Sequence, residues 1–140
     1  MRFRLFGIVV LCLQSYAMHV RAAETNGLFV VLEIAKNHTI NYQLNGRKCS
    51  KEEFVKLAEI TLKTYSGARP IVLFDDRLSL ADVGNVGGLI GAIGFPVPRY
   101  FMFTEKKSRV VEVNLAETTN VFDYEAFVRD PFATVAGKQD

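Results

Sequence analysis

Hydrophobic and polar positions alternate along this chain in blocks of two kinds. From Leu28 to Ile34 the run LFVVLEI is rich in β-branched and aliphatic residues, and a polar turn, Lys36-Asn37-His38-Thr39, separates it from Ile40, Tyr42 and Leu44, which recur with period two. This predicts a hairpin. Asn45-Gly46 is a tight-turn signal that brings Arg47 to Cys49 back as a short third strand. The period then changes. Phe54, Leu57, Ala58, Thr61, Leu62 and Tyr65 lie at helical spacing with lysines and glutamates between them, so one face is apolar. Ser50 and Glu53 are placed for a capping box at the start of this helix, and Gly67 is the expected stop.

The second half repeats the scheme. Ile71 to Phe74, after Pro70, is a continuous apolar run of strand length, fit for a sheet interior. Asp75-Asp76-Arg77 closes it, and Ser79 with Asp82 repeats the capping spacing ahead of a helix from Leu80 to Ile93, ended by Gly94. Tyr100 to Phe103 reads as the next strand. Lys106-Lys107-Ser108 reads as a turn into a last strand from Val110 to Leu115, followed by a short helix from Asp123 to Arg129 and a disordered end at Gly137 to Asp140. The expected fold class is α/β, an α+β sandwich. It has a small mixed sheet, an N-terminal hairpin and two main helices packed on one face.

The first residues do not belong to that domain. Arg2 and Arg4 precede an uncharged apolar run from Leu5 to Leu13, the length of a signal h-region and about half of a membrane span. Val20-Arg21-Ala22 then offers a cleavage site. The expected organisation is a signal peptide over 1–22, a domain over 23–118 and a partly disordered extension over 119–140. Location is then periplasmic or secreted, or tethered to the inner membrane if the leader is kept as an anchor.

Loss of the leader removes three arginines, turning 17 basic against 15 acidic residues into 14 against 15. The basic character therefore belongs to the precursor. With no basic stripe and no tryptophan, nucleic acid is not an expected partner, and a protein or a cell-wall polymer is. Cys12 leaves with the signal, so Cys49 has no internal disulfide partner, and it is expected to be buried or paired between chains. His38 is the remaining histidine, too few for a zinc site or a histidine-based nucleophile. No cofactor, metal or catalytic residue is expected.

Two features invite a functional reading. Asp75 and Asp76 could supply paired carboxylates, but neighbouring strand residues point to opposite faces, so turn formation and capping explain them better. Gly84, Gly87, Gly88 and Gly91 fall inside a helix, at about 0.5–1 kcal/mol each against alanine. Something must offset that cost. The spacing of Gly84 with Gly88 and of Gly87 with Gly91 suits close packing on a sheet or another helix, and no phosphate-loop pattern accompanies it. These six residues are the candidate interaction positions.

The order of these devices carries a resemblance over about Phe29 to Lys106. It runs from a strand ending in Leu44-Asn45-Gly46, through a Ser50-x-x-Glu53-Phe54 helix and a strand ending in Phe74-Asp75-Asp76. It continues with a helix ending in Ile93-Gly94-Phe95 and a strand ending in Phe103-Thr104-Glu105-Lys106. This order resembles the periplasmic domain of the ExbD/TolR biopolymer-transport family. The resemblance implies a small α/β domain that dimerises in the periplasm, contacts outer-membrane receptors or the cell wall, and couples to a proton-driven motor. Family members carry an acidic residue within an N-terminal transmembrane helix, whereas residues 1–22 here contain no Asp or Glu. The binding and dimerisation module is what carries over, as an accessory to biopolymer transport. A secreted or periplasmic enzyme or small-ligand binder is the alternative.

Overall fold

A computed structural model describes residues 27–65, 67–104, 106–113 and 120–137. The expected leader and its expected cleavage site lie outside them, as do the end of the expected strand to Leu115 and the last three residues of the tail. The described residues form strands β1 (Phe29–Ile34), β2 (Ile40–Leu44) and β3 (Arg47–Cys49), then helix α1 (Lys51–Lys63). Next come β4 (Ile71–Asp75), α2 (Leu80–Ile93), β5 (Arg99–Phe103), β6 (Arg109–Glu112), β7 (Val121–Asp123), α3 (Tyr124–Arg129) and α4 (Pro131–Ala136). The seven strands make one mixed sheet in the order β3-β2-β1-β4-β5-β6-β7. The α/β class, with helices packed on a mixed sheet, is therefore as expected.

Turn chemistry sets the first register. His38 takes a left-handed φ of 62° in the β1–β2 turn, and Asn45 and Gly46 take φ of 50° and 80°, the double positive pair that an Asn-Gly hairpin needs. Asn45 also ties that turn to β1, because its Oδ1 accepts from Phe29 N at 2.9 Å while its own N–H donates to Phe29 O at 2.8 Å. Leu44 is thereby held opposite Val30.

The central strands β1, β4 and β5 run parallel, and the crossovers carrying α1 and α2 both advance the same way across the sheet. Crossovers of one hand that advance together place their helices on one face. Alternate residues Val30, Leu32, Val72 and Phe74 point to that face and pack with Phe54 and Ala58 of α1 and Val83, Val86 and Ile90 of α2. The other set, Phe29, Val31, Ile71, Leu73, Phe101, Phe103 and Val110, points to the opposite face. Burial on both sides is why β1 and β4 read as unbroken apolar runs.

That opposite face is covered by the tail, in which α3 falls on the short helix expected from Asp123 to Arg129 while β7 and α4 are additional to the expected elements. Residues 120–137 add β7 to the sheet edge and supply α3 and α4, whose Phe127 and Val135 are buried against it. Asp123 caps α3 through Ala126 N at 3.0 Å, and Asp130 caps α4 through Ala133 N at 3.1 Å with Pro131 in its first turn. Phe101, Phe122 and Phe127 meet with ring centroids 4.7–5.8 Å apart. Two boundaries also moved. Helix α1 stops at Lys63, two residues before its last spacing partner Tyr65 and four before Gly67, because Thr64 N–H and Tyr65 N–H reach back three residues to Thr61 O and Leu62 O. Strand β6 begins one residue early, at Arg109.

Candidate functional site

The candidate carboxylates stand where β4 ends, and the structure separates them. Asp75 is 2% exposed, and its carboxylate accepts from Arg77 Nε at 2.8 Å, Arg77 Nη2 at 2.5 Å and Arg77 N at 3.1 Å. The Arg77 guanidinium hydrogen-bonded to it holds the carboxyl down at about 2. Leu78 N–H closes a turn onto Asp75 O at 3.0 Å, so the residue anchors the loop into α2. Asp76 is exposed and donates its N–H to Phe103 O at 2.9 Å. No shared acid/base geometry results. Sequence reasoning missed Arg77 as the partner, although a carboxylate two residues before an arginine in a tight turn is a legible signal.

Beside this corner a second ion pair, Lys107 Nζ to Glu33 Oε1 at 2.6 Å, lies under the rings of Phe103 and Tyr124. The hydrogen bond that Lys107 donates to the Glu33 carboxylate raises the Lys107 pKa and keeps the cation charged. Asp75 and Glu33 are thus each held by a cation, an arrangement of clamps. Among the described residues no three or more His, Cys, Asp or Glu side chains group closely enough to hold a metal ion. No helix among them is long and apolar enough to cross a membrane. Cys49 is half-buried, its Sγ 3.9 Å from Tyr42 O, and burial raises its thiol pKa.

The glycines of α2 divide into two kinds. Gly87 faces the sheet, and a Cβ there would collide with the Tyr100 hydroxyl of β5. Its spacing is thus accounted for by packing within the chain. At Gly84, Gly88 and Gly91 a Cβ would meet nothing within 4 Å, and all three are exposed. Packing inside the chain, the offset expected for all four, operates at Gly87 and not at these three. Seen down the helix axis, Gly84, Gly88 and Gly91 lie on the flank of Gly87, toward β5, together with Leu80, which is 77% exposed.

The sheet continues that flank, with the paired Arg109 and Asp123 at its end. Alternation along β6 and β7 turns Val111, Val113 and Val121 to the helix side, and Val113 and Val121 are each 42% exposed there. The surface combines a helix stripe without side-chain bulk and a strip of strand valines. Asp82 is the single charged residue in α2, and it is turned back to Ser79, whose Oγ lies 2.5 Å from its carboxylate. Asp75 and Asp76 do not join the glycines in one site. Comparison of the chain with protein-family models, with curated proteins and with solved structures gave no match.

Proposed function

We propose that this chain is an exported, non-catalytic interaction module of the ExbD/TolR periplasmic kind, which self-associates through the outward flank of α2. The observation that carries the reading is the solvent-facing stripe of Leu80, Gly84, Gly88 and Gly91. Three exposed helical glycines cost about 1.5–3 kcal/mol with no compensation inside the chain. A second helix backbone lying close against them supplies that compensation. The order of capped helices and turned strands along the chain supports the same reading, and so does the leader, which directs the domain to the periplasm or outside the cell. Binding of a cell-wall polymer or a transport partner would then be the work of the assembled dimer.

Sedimentation equilibrium of residues 23–140 tests the self-association. The expected result is a concentration-dependent dimer that Gly88→Lys converts to monomer without loss of thermal stability. A wild-type chain that stays monomeric at high concentration overturns the reading. N-terminal sequencing of the exported protein tests the leader: a start at Ala23 or Glu24 is expected, and an intact Met1 contradicts cleavage.

A further inference from the structure

On the opposite side of the sheet from α2, at the amino ends of β4 and β5, α4 leaves an open cleft of about 660 Å3. That is within the about 300–1,000 Å3 range of small-molecule sites. One wall is apolar, formed by Ile71, Phe132, Val135 and the alanines of α4. The other wall carries Arg69, Arg99, Glu112 and Asn120.

The charges in that wall do not balance. Glu112 is 7% exposed and is fully engaged, its Oε1 by Arg99 Nε at 2.8 Å and Nη2 at 2.6 Å, its Oε2 by Asn120 Nδ2 at 2.9 Å. Arg99 sits over the Phe101 ring, 5.3 Å from its centroid, with a side chain only 17% exposed. Both of its bonds go to a single carboxylate oxygen. Arg69 spends Nε on Val97 O at 3.1 Å and Nη2 on Pro98 O at 3.4 Å, neutral acceptors that leave its charge unmatched. Nη1 of each arginine has no partner among the described residues. Among the described residues two guanidinium groups therefore face one carboxylate, an excess of a single positive charge beside an apolar wall.

We propose that this cleft binds a monocarboxylate carried on an apolar body, its carboxylate on Arg69 and Arg99 and its hydrocarbon against Ile71, Phe132 and Val135. A planar carboxylate matches the guanidinium fork, and one negative charge cancels the excess, whereas a dianionic phosphate would overshoot it. A free acid and the carboxyl terminus of a peptide ending in a large apolar residue both present this chemistry. The binding is independent of the α2 flank on the far side of the sheet.

The test is a titration of the exported chain, followed by amide chemical shifts, with octanoate, octanol, a tetrapeptide ending in Leu-Phe as free acid, and its amide. Shifts at Ile71, Glu112, Phe132 and Ala133 are expected from one or both carboxylates, with binding roughly tenfold weaker for the neutral counterpart. Which carboxylate binds more tightly identifies the source. Arg69→Gln, at an exposed position, should weaken binding by roughly tenfold with the melting temperature kept. Ala133→Trp should block the cleft to every probe. Equal binding of octanoate and octanol, no shifts from either carboxylate at millimolar concentration, or unchanged affinity in Arg69→Gln each overturn the proposal.

Discussion

Helices α1 and α2 lie on the same face of one sheet, begin with the same serine cap and bury the same kind of residue, yet their outer faces are opposites. The outward positions of α1 are Lys51, Glu52, Glu53, Lys56, Glu59, Ile60 and Lys63, all charged except Ile60, so that face is mostly solvated by water. α2 turns Leu80, Ala81, Gly84, Asn85, Gly88, Gly91 and Ala92 outward, none of them charged, and has no basic residue in its last turn. A helix that needs only to pack on a sheet gains nothing from exposed glycines, as α1 shows. The proposed self-association takes its surface from this difference, on the outside of α2.

The inner faces should behave alike. Phe54→Ala in α1 should cost about 3–5 kcal/mol and Ile90→Ala in α2 about 2–5 kcal/mol, read by urea denaturation, since both side chains are fully buried. A loss below 1 kcal/mol at Ile90 would mean that α2 is not packed as described.

The approach to each helix should differ in its response to acid. Asp75 anchors the turn into α2, and its folded pKa of about 2 lies below its ordinary 3.8. A group with a depressed folded pKa stabilises the fold above its ordinary value and loses that contribution as pH falls through the folded one. Stability should therefore drop by roughly 1–2 kcal/mol between pH 4 and pH 2 through this residue, discounted for the half-exposed Arg77. Asp75→Asn should be less stable at neutral pH and lack that part of the acid loss. An identical pH profile for the variant would remove the ion pair from the account.

The smallest effects divide α2 itself. Gly87→Ala should destabilise by about 1 kcal/mol, because Tyr100 must move, whereas Gly88→Ala should stabilise the monomer by about 0.5–1 kcal/mol through helix propensity. Opposite signs one residue apart, measured by thermal melts, would sharpen the comparison. Equal signs would blur it.

Much of this was legible along the chain. The Asn45-Gly46 turn, the Ser50 capping box and the span of α2 all follow from local chemistry, because each device acts within four residues. The tail was less so. The short helix expected from Asp123 to Arg129 matches α3, but α4, opened by Asp130-Pro131 and six residues long, is too short for a periodicity to emerge. What makes them structure is the aromatic contact of Phe127 with Phe29 and Phe101, which is remote in sequence. The candidate site divides the same way. Glycine spacing was visible, but whether each glycine met a neighbour depended on Tyr100, thirteen residues from Gly87. The Arg99, Glu112 and Asn120 cluster likewise joins two strands and a loop, so no local pattern announced it.

Cysteine crosslinking tests the contrast between the two outer faces most directly. In a Cys49→Ser background, Gly88→Cys on α2 and Lys56→Cys on α1 place one thiol on each exposed surface. The account predicts that mild oxidation converts the α2 variant to a disulfide-linked dimer while the α1 variant stays monomeric. Equal crosslinking of the two, or none from α2, would contradict it.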